Sequence, residues 1–298
     1  MKASMFAALV GILLVSHATA EVYVVHPDGS GDYPTIQAAV DASSEGDEIV
    51  LESGVYRGDG NRDVLIYMHA LVVRSATGDP RDCIIDCQGT AQEWHTGFLC
   101  DVALGQLELR GITVIRGYYH SGGAIRIGWG DVYISDCLFV GNRAEHHGAA
   151  VFKGGPDTVT LSGCTLVGNS SPIATVAAID WGYLALENSI VAFSGDGYAT
   201  SCLYGQSQFA CCDFFGNADG DWDSPCAIGF LGIDGNISED PLFCGWEEGN
   251  YYLQSDSPCA PGGECGLIGA LPVGCEPSPI MESTWGGVKA LYRHPATE

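Results

Sequence analysis

The sequence is short of positive charge: 12 Lys and Arg stand against 37 Asp and Glu in 298 residues, a formal net charge of −25. A field of that sign repels nucleic acid and anionic membrane surfaces and draws in cations, which excludes nucleic-acid binding as a function class. It also keeps an extended protein soluble, the plainest use of such acidity. Long hydrophobic runs are missing beyond the N-terminus, so no later segment can cross a bilayer as a helix. There is no P-loop, no dinucleotide fingerprint, no GxSxG elbow and no zinc-spaced set of cysteine pairs. Cys211 and Cys212 are adjacent rather than CxxC, which leaves redox catalysis without a motif.

What is present begins with a leader. Lys2 is followed by an apolar run from Met5 to Val15 and then by Ala18-Thr19-Ala20, a small-x-small cleavage signal. Residues 1–20 read as a secretory signal peptide, too short for a membrane span. The protein is therefore expected outside the cell or on a bacterial cell surface. All 13 cysteines follow the leader, in a compartment where disulfides persist. The odd count leaves at least one thiol free or paired between chains. Eight of them (Cys202, Cys211, Cys212, Cys226, Cys244, Cys259, Cys265 and Cys275) lie beyond residue 200. The C-terminal end is the part that needs stapling; the pairing is open.

Five look-alike segments occupy the middle: 107–117, 132–142, 159–169, 184–194 and 207–217, in steps of 25, 27, 25 and 23 residues. A repeat this short cannot bury its own apolar face, so neighbours must stack into a solenoid. Apolar or small residues fall two apart, then three, then two, as in Val132, Ile134, Cys137 and Phe139. A step of two is a strand with one face inward. The step of three puts an extra residue at a bend, in the column Gly111, Asp136, Gly163, Asn188 and Cys211. Four of these five are of types that tolerate the left-handed backbone of a one-residue corner. A second corner column reads Gly117, Asn142, Asn169, Ser194 and Asn217, where stacked Asn side chains can bond coil to coil. A third strand precedes each segment, at 122–127, 148–153 and 175–180. The fold class predicted is all-β: a single-stranded, right-handed parallel β-helix of three-strand coils. The inward column Ile112, Cys137, Cys164, Ser189 and Cys212 puts thiols one coil apart, and core packing is favoured there over a Cys137–Cys164 bridge.

An open solenoid end exposes unpaired strand edges and must be closed. At the front, 33–42 has Pro34 at the first helical turn and Ile36, Ala39 and Val40 on one stripe, a short amphipathic capping helix. At the rear, 237–271 has few strands and many cysteines and reads as an irregular cap. The domain plan is signal peptide 1–20, β-helix with its caps 21–271, and tail 272–298. The tail carries Trp285, Val288 and Leu291 with Lys289 and Arg293; surface anchoring, a docked helix and a flexible end all remain open for it.

Three resemblances attach to these residues. The opening 26–58 resembles the start of pectinesterase-like and other right-handed β-helix proteins of the pectin lyase-like fold. GGAI at 122–125, with FVGN at 139–142 and FFGN at 214–217, is similar to the GGAI and FxxN repeats of polymorphic outer membrane proteins, a group of bacterial adhesins. Asp240-Pro241-Leu242-Phe243, Tyr252-Leu253, Ser257-Pro258 and Ile268-Gly269-Ala270 resemble the ends of secreted bacterial β-helix proteins with C-terminal surface anchors. The resemblance implies a fold and not an activity. The QDTL-, DFIFG- and LGRPW-type segments of pectinesterases are absent, as are the RxPxxR- and WIDH-like signatures of pectate lyases. The early GxYxE pattern is here Gly54-Val55-Tyr56-Arg57-Gly58.

The residues that could carry chemistry lie along one edge of the middle coils. Trp94-His95, Tyr118-Tyr119-His120 and His146-His147 precede third strands, with His120 predicted near His146 one coil away; Trp129 and Trp181 terminate third strands. Aromatic rings beside hydrogen-bonding groups suit a pyranose, with its apolar faces and polar edges. The expected function is thus a secreted or cell-surface protein, non-catalytic, that binds a polysaccharide, a cell-surface glycan or a partner surface along its side wall. The alternative is a polysaccharide lyase or glycoside hydrolase, with Arg126, His146 or Glu145 as its candidate catalytic groups. Asn217, Asp219, Asp221 and Asp223 resemble the first half of a calcium loop, but position 228, where the acidic ligand would fall, is Ile. Calcium is the cofactor such a loop would take, and the histidines with Glu145 or Asp180 could also do acid–base work or hold a metal. Asn169 and Asn236 lie in Asn-x-Ser sequons.

Overall fold

The computed structural model describes residues 20–67, 69–102, 105–179 and 181–275. The leader, but for its last residue, and the tail beyond Cys275 lie outside them. The chain winds as a parallel β-helix of about eight turns, each turn giving one strand to each of three parallel sheets. The first sheet runs from Val22–Val25 through Asp47–Leu51, Leu71–Ser75, Gln106–Arg110, Asp131–Ser135, Thr158–Ser162 and Tyr183–Glu187 to Gln206–Ala210. Its strand Val22–Val25 was not foreseen; it is the starting edge. The second sheet runs from Gly54–Tyr56 to Asp213–Phe215, and the third takes in Val64–Tyr67, Phe98–Asp101, Ile125–Ile127, Val151–Lys153 and Ser170–Ile179.

Alternation does what the spacing implied. Ile49, Val73, Leu109, Ile134, Leu161, Leu186 and Phe209 stand in register down the first sheet, and all are buried. Across the lumen they meet Tyr56, Ile85, Val114, Phe139, Leu166, Val191 and Phe214 from the second sheet. The inward cysteines are packed thiols, as favoured from the sequence. Cys137, Cys164 and Cys212 are buried and free, and burial lifts the thiols of Cys137 and Cys212 to about 12.

The corners work by two devices. In the first bend every residue of the predicted column is left-handed: Gly111 (φ 64°), Asp136 (53°), Gly163 (61°), Asn188 (47°) and Cys211 (53°). In the second bend the left-handed residue is one position earlier than the Asn column, at Arg116, Gly141, Gly168, Phe193 and Gly216. The Asn side chains then take up the corner peptides. Asn142 Oδ1 accepts from Gly117 N (2.8 Å), while its Nδ2 donates to Val114 O (3.0 Å). Asn169 Oδ1 accepts from both Asn142 N (3.0 Å) and Asn142 Nδ2 (3.1 Å), and Asn217 Oδ1 accepts from Ser194 N (3.3 Å). Asn236 serves the first bend in the same way, accepting from Cys212 N at 3.0 Å. Asn169 and Asn236 are both buried, so neither sequon is open to a glycan.

The front closes on the helix Ile36–Ala42, which buries Ile36, Ala39 and Val40. Its N-cap is Thr35, whose side chain accepts from Ala38 N. Pro34 therefore precedes the cap instead of sitting in the first turn, because the Thr35 hydroxyl is the better partner for the free amides.

The rear differs from the sequence reading. Segment 218–236 closes the open end: Trp222 stacks on Phe214 (4.1 Å between centroids) and Phe230 packs on Phe209 (5.1 Å). Segment 237–271, expected as that cap, instead folds back, together with residues 272–275, along the outer face of the second sheet. Phe243, Tyr251, Tyr252, Leu253, Ile268 and Leu271 cover Ile84, Leu138 and Ile190. Ala270 N donates to Thr165 Oγ1 (2.9 Å), and Arg81, far up the coil, lies over the Tyr252 ring at 4.4 Å. The disulfides Cys211–Cys265 and Cys244–Cys275 staple this strap. The reason is legible afterwards: second-sheet strands such as Leu138-Phe139-Val140 are apolar on both faces and need cover on both.

Asp213 sits under the strap, fully buried, accepting from Glu239 N (3.1 Å) and the Cys259 thiol (3.2 Å). Desolvation raises its carboxyl to about 7, with Asp221 and Glu239 adding to the rise. In the folded state this group keeps a proton that the unfolded chain has lost, so its contribution is complete below the ordinary carboxylate range. That contribution falls as pH rises toward 7, then stays flat. Thermal unfolding from pH 4 to 8 should show a larger fall in Tm for the wild type than for Asp213→Asn, by about 2–4 °C for each kcal/mol. A second expectation concerns the ladder. Asn142→Ala strips partners from Gly117 N and Val114 O and should cost about 1–3 kcal/mol for each buried group left unpaired, read by denaturant unfolding.

Candidate functional site

With the second sheet covered, the walls left to solvent are the outer faces of the first and third sheets. On the way into the third sheet two coils add a short strand not read from the sequence, Tyr118–Ser121 and Arg143–His147. They pair in parallel with Tyr118 opposite Arg143, Tyr119 opposite Ala144 and Ser121 opposite His147. One residue, His120, thus faces two, Glu145 and His146. This is a β-bulge, a device that re-aims side chains. It brings the His120 and His146 rings to 4.3 Å between centroids. Gly122 (φ 81°) and Gly148 (φ 61°) then turn the chain into the third strand. At Gly123 a Cβ would lie 2.2 Å from Arg143 O and 2.4 Å from Ala149 O. The glycines of GGAI are thus required by the tight passage between coils.

The rings run on in both directions from this pair. Trp94 is 6.2 Å from both Tyr119 and His120; His147 is 6.5 Å from His146 and 6.2 Å from Phe152. The Arg126 guanidinium lies 5.3 Å from the Phe152 centroid, a cation–π contact. Trp94, His120 and His146 are exposed, while Tyr119, Glu145 and His147 are half-buried. Burial, then the neighbouring His146 and His120, lowers the pKa of His147.

Not every predicted residue joins. Tyr118 is held through its backbone, exchanging hydrogen bonds with His95 at 2.7 and 2.9 Å. The His95 ring is committed to Asp63, Nδ1 to Oδ2 at 2.6 Å, while the other Asp63 oxygen accepts from Thr96 N at 2.8 Å. Trp129 and Trp181 stand at the far ends of their third strands, away from the histidines. Trp181 is 73% exposed and stacks on Tyr204 at 5.9 Å. Asp180, a possible acid for this edge, lies outside the described residues.

The calcium-loop residues do not converge. Asn217 is buried in the corner ladder, and Asp221 accepts from Asn217 N (2.9 Å) and Nδ2 (2.7 Å), from Gly216 N and from Ser238 Oγ. Asp219 and Asp223 are exposed apart from them. The loop is an acidic turn closed on its own amides. Among the described residues no three His, Cys, Asp or Glu gather as a metal site.

Sequence reasoning missed Asp63, Phe152 and a shallow cavity of about 350 Å³ on the first sheet, lined by Gln106, Glu108, Tyr133, Ser135, Thr160 and Ser162. The cavity lies apart from the ring cluster, and its single ring, Tyr133, makes it the poorer sugar platform. Two buried ion networks are structural. Asp86, buried, accepts from Arg57 Nε and Arg116 Nε, both at 2.8 Å. Lys153, also buried, donates to Gly128 O and Gly154 O and sits 3.7 Å from Asp157; desolvation lowers its pKa.

The chain is thus a parallel β-helix with one exposed aromatic and histidine-bearing wall. No protein-family model matches it, and no curated protein matches it. Among solved structures it is similar to pectate lyase Pel9A, with a TM-score of 0.45 over 87% of this chain and 98% of that chain, at 14% sequence identity.

Asp86 also yields a check on the scaffold. Asp86→Ala leaves two guanidiniums facing an apolar corner, and both keep part of their surface in water. Unfolding should show a loss near the lower end of the about 3–5 kcal/mol that breaking a buried pair costs.

Proposed function

We propose that this is a secreted or cell-surface β-helix protein that binds a polysaccharide or cell-surface glycan, without turning it over, on the third-sheet wall. The observation that carries the reading is the unbroken run of rings Trp94, Tyr119, His120 and His146 on an exposed face. Indole and phenol faces stack on the C–H faces of a pyranose, and imidazole nitrogens meet its hydroxyls. The third strands run from these rings toward Trp129 and Trp181, which would extend contact along a longer oligosaccharide. The leader supports export, as do the disulfides in the strap. The tail beyond Cys275 would serve attachment.

A second reading, a lyase or hydrolase, rests on a different observation: the Asp63–His95 pair beside Trp94. A carboxylate on Nδ1 orients an imidazole and leaves Nε2 to take or give a proton. His95, its ring oriented by Asp63, is a better-placed base than Arg126, whose guanidinium stacks on Phe152.

A glycan array, run with and without calcium, decides between them beside an absorbance assay for unsaturated product and one for reducing ends. The first reading expects binding without product, weakened about tenfold or more in Trp94→Ala and in His120→Ala, the equivalent of about 1.4 kcal/mol. Product formation lost in His95→Ala would establish the second. Binding unchanged in both ring variants would remove the proposed wall.

A further inference from the structure

We propose that His120 and His146 form a surface site for one divalent transition-metal ion of the copper(II) or nickel(II) class. The inference goes beyond the glycan reading and does not depend on it.

The bulge between Tyr119 and Ser121 brings the two imidazoles together from adjacent coils. Their centroids are 4.3 Å apart with planes tilted by 50°, and both side chains are exposed, free to turn a nitrogen toward a common point. Imidazole is the side chain that borderline divalent ions prefer. An ion at the usual metal–nitrogen distance of about 2.0–2.1 Å would lie about 3.2 Å from each ring centroid. Two centroids 4.3 Å apart then subtend close to a right angle at the ion. That is the cis angle of tetragonal or octahedral coordination, the geometry of copper(II) and nickel(II), and narrower than the tetrahedral angle zinc takes in protein sites.

The same arithmetic sets the limits of the site. The His146 and His147 centroids are 6.5 Å apart, just beyond about twice 3.2 Å, so as the rings stand one ion does not reach both. His147 is therefore a neighbour and not a ligand. Water completes the coordination, which agrees with the lack of any three-residue cluster among the described residues. The formal charge of −25 raises the local concentration of cations around this pair of rings.

Trp94 supplies the reporter, its ring 6.2 Å from His120, within reach of quenching by a paramagnetic ion. The experiment titrates copper(II) or nickel(II) chloride into the mature full-length protein, carrying no polyhistidine tag, by calorimetry and by tryptophan fluorescence. The expected result is one saturable site per chain with saturable quenching, and weaker binding of zinc(II). His120→Ala and His146→Ala should each weaken binding about tenfold or more, while His147→Ala should leave it within about threefold. Trp94→Phe should keep the calorimetric binding and lose the saturable quenching. Circular dichroism confirms that each variant is folded before it is scored. The proposal is overturned by the absence of saturable binding, or by binding that survives in the His120→Ala/His146→Ala double variant. It is equally overturned if His147→Ala weakens binding as much as the other two.

Discussion

A stacked coil satisfies its strand peptides along the axis, but at each corner the chain turns and the amides there need partners of another kind. Buried peptide groups without partners are too costly to persist. Two features meet this demand: a left-handed residue that makes each turn in one step, and a side chain that bonds the freed amide of the coil before it. Asn142, Asn169, Asn217 and Asn236 supply the second. An Asn can accept with Oδ1 while donating with Nδ2, so one residue joins two coils. Where Ser194 takes the place of Asn, its hydroxyl turns to Gly197 O in its own coil instead. The rest of the molecule is placed by this stacking. The lumen is filled because the corners hold the strands in register, and the surface columns line up for the same reason.

The strap follows from a second constraint. Five successive strands of the second sheet read TVI, LFV, TLV, IVA and DFF, so nearly every position is apolar or buried on one face or the other. One face belongs to the lumen. The other requires a cover, and segment 237–275 provides it at the cost of closing that wall to any ligand. The corner residues take part. Asn188 donates Nδ2 to Cys265 O and Leu267 O, and Cys211 is bonded to Cys265. A position chosen for its backbone angle thereby also becomes an anchor, which explains why the fifth corner tolerates cysteine.

Much of this was legible in the residues. The period, the two corner columns, the inward thiols and the front helix all show in one coil's pattern repeated on the next. The path of 237–275 was not, because a segment that lacks strands gives no period to follow. Its clue lay elsewhere, in the doubled apolar faces of the strands it covers. The ring cluster was legible in part. Aligning GGAI with GAAV puts His120 and His146 one coil apart, but the single-residue offset that sets the rings together is a bulge, visible only in the pairing. Asp63 could not be found at all. It lies 32 residues before His95, and nothing in the intervening chain marks it as that ring's partner.

The bulge also explains why this edge differs from the others. Along the first sheet, residues are bound to a strict alternation, and an outward column offers hydroxyls and carboxylates at the fixed spacing of neighbouring strands, roughly 4.8 Å. Tyr133 with Glu108 and Thr160 is such a column. At the entrance to the third sheet the extra residue releases that spacing, and two imidazoles approach to 4.3 Å while an indole and a phenol close around them. Substitution in the first-sheet column changes one side chain at a time. Removal of the bulge would instead shift the register of everything after it, since Ser121 and His147 are paired just beyond. The irregularity that makes the wall distinctive is thus held in place by the regular coils on either side of it.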